Sequence, residues 1–253
     1  MPKFLTFALV APLASFGGLA VGERRGGWDR PARSAVLGLV AACLGLERQD
    51  EAAQGALAEG YGLALLCHAP GRLLADYHTA QVPSAQRGRR FATRAEELAV
   101  RELNTVLSRR DYRSGAWHLG ALWAREAAPR WSLAELAEAM RQPVFVPYLG
   151  RKSCALGLPL APEITEAADA AEVLQRRHAE GAEARLRLGE RGPALREALA
   201  DQPGALLLAT DPGGVAADHP GQLRTERRRD QPRSRWRWQF DVREELVVRL
   251  AAP

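Results

Sequence analysis

The opening segment, Lys3 to Val10, is a continuous apolar run of strand length that is followed by Pro12. Successive side chains of a strand point to opposite faces of a sheet, so a run without polar alternation predicts a strand buried on both faces. The chain has 253 residues, which is long enough to bury such a core without a disulfide or a structural metal.

The spacing of apolar, capping and turn residues beyond this strand predicts further helices and strands in a definite order. They are a helix over 35–46 capped by Ser34, a strand over 61–68 with its partner over 72–78, two strands over 103–112 and 116–123, a helix from 133 to 141 opened by a Ser132–Glu135 capping box, and a short strand over 143–146. The order strand, helix, strand, strand, helix, strand predicts an α+β fold with a ferredoxin-like, RRM-like βαββαβ core. Recognition modules of this kind present a sheet to single-stranded RNA, although fold alone does not establish function.

Composition divides the chain near residue 150. Residues 1–150 hold the predicted core, with an arginine-rich insertion at about 80–115 whose first part, 80–95, is predicted to be an exposed loop. Residues 151–253 are predicted to form a smaller C-terminal, β-rich extension packed on that core. Within the extension, 161–200 is weakly helical, the basic stretch from Arg224 to Arg235 looks loose, and 236–241 and 246–250 alternate like strands.

Arginine dominates the charge of the chain. The formal net charge is +5, and Lys3 and Lys152 are the only lysines among 35 basic residues. The guanidinium fork grips phosphate with two hydrogen bonds and stacks on bases, and a basic surface attracts polyanions. On charge alone, a solvated basic surface without a partner is an equal alternative.

The loop before the predicted Ser34 helix mixes Gly17 and Gly18 with arginines at 24, 25, 30 and 33. A helix N-terminus attracts anions, and glycines allow a backbone to approach closely, so phosphate binding is one interpretation of this loop. The alternative is an ordinary connection between a strand and a helix. The GxxxxGK[ST] motif is absent, which disfavours a nucleotide-hydrolysing enzyme.

His78 is the histidine with the most polar surroundings, beside Asp76 and Tyr77. A ribonuclease needs a base for the 2′-OH and an acid for the leaving oxygen, and His78, Tyr77 and Lys152 could serve. We favour polar packing and RNA contact at a strand end, and we assign no catalytic residue.

Neither a metal site nor a cofactor is expected, because the sequence has no CxxC pair and no His/Asp/Glu set at ligand spacing. Cys43, Cys67 and Cys154 are interpreted as core residues in a reducing cytosol. The apolar N-terminus is too short and broken for a secretory leader, and no run reaches the length of a membrane span, so we expect a cytoplasmic protein.

Two other segments allow two interpretations each. The turn PYLGRKSC, residues 147–154, suits a phosphate contact or a partner surface, and a plain turn is equally consistent. Trp236 and Trp238 alternate with arginines, as in surfaces that stack on bases. Alternation also places tryptophans on one face of a strand and arginines on the other, and we favour core tryptophans with solvated arginines.

Several of these segments, in the same order, resemble the CasD family of the type I-E CRISPR Cascade complex. They are the opening strand with APLASFGG, residues 30–46 (RPARSAVLGLVAACLGL), 76–81 (DYHTAQ), 108–123 (SRRDYRSGAWHLGALW) and 143–160 (PVFVPYLGRKSCALGLPL). The resemblance implies a ferredoxin-like core with a protruding thumb hairpin.

The resemblance also implies a function. Members bind the 5′ handle of the crRNA, cap the backbone of CasC subunits next to the large CasA subunit, and reach target DNA through the assembled complex. CasD itself is then non-catalytic, whereas in some relatives of other subtypes the equivalent subunit is a metal-independent endoribonuclease, which stays the alternative. The predicted RNA-binding set is Gly17, Gly18, Arg24, Arg25, Arg30, Arg33, Ser34, Tyr77, His78, Arg109, Arg110, Arg113, Arg151, Lys152 and Ser153.

Overall fold

One sheet organises the part of the chain that the computed structural model describes, residues 1–181 and 206–250 apart from 19, 21, 86, 87 and 89. Within this part there are nine strands: β1 (Lys3–Ala14), β2 (Arg24–Arg25), β3 (Tyr61–Ala69), β4 (Arg72–Pro83), β5 (Leu103–Ala124), β6 (Glu163–Glu166), β7 (Leu206–Thr210), β8 (Gln222–Ser234) and β9 (Gln239–Leu250). The described helices are α1 (Arg33–Cys43), α2 (Glu51–Gly60), α3 (Arg94–Leu98), α4 (Leu133–Arg141) and α5 (Ala170–Glu180).

Strand β1 is buried on both faces, which confirms the expectation from its continuous apolar run. Phe7 and Leu9 point into a core under α1, α2 and α4, whereas Ala8 and Val10 point into a second core that α5 covers. The strand extends through Pro12 to Ala14, beyond the predicted end. The register continues across the proline, with the pairs Ala11–Ala116 and Leu13–Ser114 on either side of it.

The strands follow the order β6-β1-β5-β3-β7-β9-β8, with β2 and β4 also paired to β5. Along the chain, β1, α1, β3, β5, α4 and β6 come in the order strand, helix, strand, strand, helix, strand, with β2, α2, β4 and α3 between them. The last strand lies at 163–166, however, and not at the predicted 143–146. The amides of Val144 and Phe145 instead donate to the carbonyls of Cys43 and Ala42, so this segment satisfies the C-terminal end of α1.

Strand β5 is one strand of 22 residues, where two strands around an Arg113-Ser114-Gly115 turn were predicted. Gly115 has a φ of +67°, which glycine accommodates, and the chain continues without reversing. The first half of β5 pairs with β4, from Arg72–Ser114 to Pro83–Leu103, and the second half pairs with β1 and β3. The prediction that 72–78 pairs with 61–68 is therefore wrong, because β5 and β7 occupy the two sides of β3.

The β4–β5 hairpin, residues 72–114, includes α3 in the connection between its strands. The arginine-rich insertion was predicted at about 80–115, with 80–95 as a loop. The described structure begins the hairpin earlier and continues β4 to Pro83.

The C-terminal strands extend the same sheet, since β7 pairs with β3, β9 with β7, and β8 with β9. The predicted loose stretch 224–235 is mostly strand β8. Part of the helix expected within 161–200 is α5, and residues 182–200 lie outside the described residues. The predicted division near residue 150 stays a prediction, although strands from both of its parts share this sheet.

A buried network of ion pairs connects α1 to these C-terminal strands. Asp211, after β7, accepts from the Arg33 guanidinium at 2.6 Å, from Arg125 at 2.7 Å and from Arg243 at 3.0 Å. Asp230 accepts from Arg243 at 2.7 Å, and its carboxylate also accepts from the backbone amide of Arg33 at 2.8 Å. Each carboxylate is thus shared between donors from different elements.

Arg33 is the most enclosed member of this network, with no exposed surface. Its guanidinium also donates to the carbonyls of Ala58 and Tyr61, each at 2.7 Å. Burial lowers the pKa of Arg33 to about 10, and the charges of Arg125 and Arg243 act in the same direction against Asp211. The residue therefore stays charged at neutral pH, and its charged form depends on its partners for stabilisation.

No helix within the described residues is long and apolar enough to cross a membrane.

We expect Asp211→Ala to lower the free energy of unfolding by roughly 3–5 kcal/mol, because it leaves buried guanidinium groups without a counter-charge. Equilibrium denaturation of the purified protein measures this loss. Glu138→Ala is the matched control, because it breaks the exposed Glu138–Arg141 pair and should leave the denaturation midpoint unchanged. Equal midpoints for the two variants would contradict a stabilising role of the network.

Candidate nucleic-acid interface

A groove of about 640 Å³ lies between the loop after β1, one face of α1, the 147–155 turn and the β8–β9 turn. Its lining includes five arginines, at 25, 48, 151, 229 and 235, and three aromatic residues, Tyr148, Trp238 and Phe240. The groove therefore combines groups that bind phosphate with groups that stack on bases.

The glycine-rich loop forms one wall of the groove. Gly17 makes a bridge with Gly27, and the amide of Trp28 donates to the carbonyl of Phe16 at 2.8 Å, so the loop folds back on itself. Strand β2 then places Arg24 and Arg25 beside β5, where their register partners are Arg109 and Arg110. Four predicted RNA-binding arginines are thus brought together, and Arg25 also lines the groove.

The 147–155 turn forms the next part of the wall, because Gly150 packs against the end of β1. The amide of Ser15 donates to the carbonyl of Leu149 at 3.0 Å. Gly150 has a φ of +90°, and a Cβ at this position would lie 1.7 Å from the carbonyl oxygen of Ser15. Glycine is therefore required for the turn to reach the loop, which brings two sequence motifs to one site.

Arg151 follows this glycine and lies over the ring of Tyr112, 4.4 Å from its centroid. Its Nη1 atom is buried and has no hydrogen-bond partner among the described residues. A buried guanidinium nitrogen without a partner retains the capacity to donate to an anion. Lys152 and Ser153 come next on the same turn and are exposed.

The β8–β9 turn differs from its prediction. Trp236 and Trp238 are 60% and 55% exposed, so the expected core tryptophans are wrong. Residues 235–238 form a turn, where period-two alternation does not apply. Arg235 points inward instead, and its Nη1 atom donates to the carbonyl of Ser34 at 3.0 Å. Of the two tryptophans, Trp238 lines the groove.

The charges of the groove are unbalanced. None of its five arginines forms an ion pair with a carboxylate of residues 1–181 or 206–250 as far as these are described. The lining carboxylate, Asp230, is already paired with Arg243. Burial lowers the pKa of Arg235, and the charge of Arg48 lowers it further. An anion in the groove would relieve this repulsion.

The structure gives Arg30 and Arg33 a role that differs from phosphate binding. Both are buried, Arg30 against Glu245 and Glu226 and Arg33 against Asp211. For Arg30 the nearby carboxylates, chiefly Glu245, outweigh the effect of burial and raise the pKa. Their guanidinium groups are used within the protein, so they are left out of the candidate RNA-binding set.

Ser34 was predicted to be the N-cap of helix α1, and the structure shows that it is not. Helix α1 begins after Ala32 without a side-chain cap, and the carboxylate of Asp230 accepts the first amide, that of Arg33. An anion site centred on this amide is therefore already filled from within the chain. Ser34 still lines the groove, as do Gly17, Gly18, Arg25 and Arg151 from the predicted set.

The remaining predicted residues lie on or beside the β4–β5 hairpin. Tyr77 pairs with Arg109 in register, and His78 pairs with Ser108. Arg109 forms an ion pair with Asp111, and Arg113 donates to the carbonyl of Trp28. These side chains continue the basic surface from β2 outward along the hairpin.

Part of the groove was not expected from the sequence. Arg48, Arg229 and Phe240 were not singled out, Arg235 was expected to be solvated, and Trp238 was placed in the core. The interleaved tryptophans and arginines at 233–238 were the available signal for this part of the groove. They indicate a base- and phosphate-binding surface once the position of the turn beside α1 is known.

The described groove lining contains no histidine, and its carboxylate, that of Asp230, is already paired with Arg243. His78 lies on β4, half-exposed, and shares a hydrogen bond with Asp76. His118 is fully buried, and burial lowers its pKa to about 3, with smaller effects of Arg30, His68 and Arg113. No group of three or more His, Cys, Asp or Glu residues in the described part could hold a metal ion.

Comparisons with known proteins agree with one another. The model of the family described as CRISPR-associated protein (Cas_Cas5) matches residues 4–244. The Cascade subunit CasD of Escherichia coli K12 is 30% identical over 182 residues, which cover 69% of this chain and 76% of that protein.

Two solved structures share the fold. A chain of a CRISPR RNA-guided surveillance complex superposes with a TM-score of 0.64 at 23% identity, covering 99% of this chain and 91% of that one. A crystal structure of a Cas protein superposes with a TM-score of 0.58 at 22% identity, covering 98% and 94%. The mixed α/β architecture with its mostly antiparallel sheet is therefore that of known Cas proteins.

We expect Gly150→Ala to destabilise the protein by more than the roughly 1–2 kcal/mol that a left-handed residue costs, because the new Cβ meets the backbone of Ser15. Gly213→Ala is the matched control: its φ is +88°, but no atom of the described residues lies within 4 Å of the place that its Cβ would occupy. Equilibrium denaturation compares the two variants. A loss for Gly150→Ala no larger than that for Gly213→Ala would show that the close approach to Ser15 is unimportant.

Proposed function

The chain belongs to the CRISPR-associated protein (Cas_Cas5) family, and we propose that it is a non-catalytic RNA-binding subunit of a type I-E CRISPR interference complex. In this proposal it binds the 5′ handle of the crRNA in the arginine-lined groove. It also caps the backbone of CasC subunits next to the large CasA subunit, in the cytoplasm, and meets target DNA through the assembled complex. The similarity to a Cascade subunit supports this assignment.

The observation that carries the proposal is the groove itself. Residues far apart in the sequence, such as Arg25, Arg151 and Arg235, line one cavity without carboxylate partners among the described residues. Arginine binds phosphate oxygens through paired donors, and Tyr148 and Trp238 add aromatic surface. Basic grooves with aromatic platforms are typical of sites for single-stranded nucleic acid.

We also assign a ferredoxin-like core to β1, α1, β3, β5, α4 and β6. The support is their order along the chain together with the spatial order β6-β1-β5-β3, in which the first and third strands are central. Helix α2 and the β4–β5 hairpin are then insertions in this core.

The β4–β5 hairpin is our candidate for the thumb. Leu73, Leu74 and Val106 on its strands are each about half exposed, at 52%, 50% and 46%. Exposed apolar side chains on a projecting hairpin suit contact with a partner subunit. Tyr77, His78, Arg109 and Arg110 lie on the same hairpin and would contact RNA beside that partner.

One observation favours the alternative, a metal-independent endoribonuclease. The hydrogen bond between His78 and Asp76 is the arrangement that orients a general base. A second proton-transfer group is still needed, and Asp76 is the hydrogen-bond partner of His78 within the described chain. The non-catalytic function therefore remains the proposal.

We expect the protein to bind repeat-derived single-stranded RNA with a log–log salt slope of roughly −0.7 for each neutralised phosphate. Arg25→Ala and Arg151→Ala should each weaken binding by about 1–3 kcal/mol and make the slope shallower, because each removes a charged phosphate contact. Fluorescence anisotropy titrations at several salt concentrations measure both quantities.

Arg141→Ala is the control for this titration, because Arg141 is an exposed arginine of α4 outside the groove lining. It should leave affinity and slope unchanged. Equal losses for Arg141→Ala and Arg151→Ala would mean that charge alone, and not the groove, determines binding.

We expect no cleavage of precursor repeat RNA by the purified protein in EDTA, because a positioned acid and base, each worth about 10²–10⁴-fold in rate, are not assembled together among the described residues. Labelled RNA incubated with the wild-type protein and with His78→Ala provides the measurement. Specific cutting that is lost in His78→Ala would establish the endoribonuclease alternative. Cutting that persists in His78→Ala would direct attention to Tyr77 and Lys152.

A further inference from the structure

The β8–β9 turn holds its tryptophan in a backbone conformation that tryptophan rarely adopts. Trp238 has a φ of +54°, in the left-handed region, just before the pair Ser234–Gln239 closes the hairpin. A side chain in this region costs roughly 1–2 kcal/mol, and glycine is the residue that avoids the cost. Strain of this kind persists where the surrounding structure imposes it and is concentrated at functional sites.

The strained position directs the indole toward the groove and not into a core. The ring remains 55% exposed, although it lines the groove. The guanidinium carbon of Arg48 lies 4.1 Å from the ring centroid, and the ring of Phe240 is tilted beside it at 6.3 Å. The indole is therefore supported by neighbours and still presents much of its surface to the groove.

Two cations share the groove with this indole. Arg48 contacts the indole directly, and Arg235, from the same turn as Trp238, donates to the carbonyl of Ser34. Neither forms an ion pair with a carboxylate in the part of the chain that the structure describes. A flat aromatic surface beside two uncompensated guanidinium groups matches one nucleotide, with its base and its phosphate.

We propose that Trp238 is the stacking platform for one unstacked RNA base, with Arg48 and Arg235 binding a phosphate of the same nucleotide or its neighbour. This inference rests on the proposed RNA-binding function and specifies a position within the groove. A protein partner would fit a tryptophan as well, but the unpaired cations favour a polyanion. Trp236, two residues away and outside the groove lining, is not part of the site.

The test is RNA binding by four variants of the full-length protein, measured by anisotropy with a labelled single strand of about 16 nucleotides. Trp238→Ala should weaken binding by roughly 5- to 100-fold, the range that loss of one stacked base gives. Trp238→Phe should recover most of the affinity, and Trp236→Ala should bind like the wild type. Trp238→Gly should bind as weakly as Trp238→Ala but melt no lower than the wild type, because glycine relieves the strained φ.

Salt dependence separates stacking from charge. Trp238→Ala should leave the log–log salt slope unchanged, whereas Arg48→Ala should make it shallower by roughly 0.7, the value for one phosphate. Replacing single nucleotides of the RNA by abasic ones should identify one position at which Trp238→Ala has no further effect.

Two results would overturn the inference while leaving the proposed function intact. They are wild-type affinity in Trp238→Ala and equal losses in the two tryptophan-to-alanine variants. No RNA binding by the wild-type chain at low salt would instead overturn the proposed function and this inference together.

Discussion

The buried ion pairs of Arg33 hold together parts of the chain that no local pattern connects. Arg33 begins α1, Asp211 follows β7, and Arg243 lies on β9, yet both guanidinium groups are within 3.0 Å of the one carboxylate. Removing such charges from water is costly, so the arrangement is stable only when every partner is in place. Two walls of the groove, α1 and the β8–β9 turn, are positioned by this network. The shape of the groove therefore depends on charges that lie outside its lining, those of Arg33, Asp211 and Arg243.

The elements that the sequence predicted well are those with local causes. The apolar run of β1 and the Ser132–Glu135 capping box of α4 both produced the expected structure. The errors concern pairing over distance. Segment 143–146 satisfies the end of α1 and forms no strand, because its amides reach carbonyls there. Strand β8 looked loose because part of what neutralises its arginines comes from another strand, as Glu245 of β9 does for Arg228.

The candidate site was predictable to a similar degree. The glycine-arginine loop and the PYLGRKSC turn meet at one groove, whereas the phosphate contacts that their composition suggested stay a prediction. Within that loop, however, Arg25 faces the groove and Arg33 is buried. An arginine's role depends on the carboxylate that lies nearest to it. The carboxylate that pairs with Arg33 belongs to Asp211, far along the chain. The expected alternation of side chains along a strand placed Trp238 in the core. This was wrong because a four-residue turn interrupts the strand at that point.

The length of β5 has a mechanical consequence. Its 22 residues extend roughly 70 Å at about 3.3 Å per residue. From Leu103 to Ala124, every residue except Gly115 has a partner in β4, β1 or β3, so the two pairings follow one another without a gap. The hairpin is thus a direct continuation of a central strand of the sheet, and not a loop attached to it by its ends. A subunit seated at its far end would have its angle fixed by the sheet itself, and any torque applied there would be carried into the core.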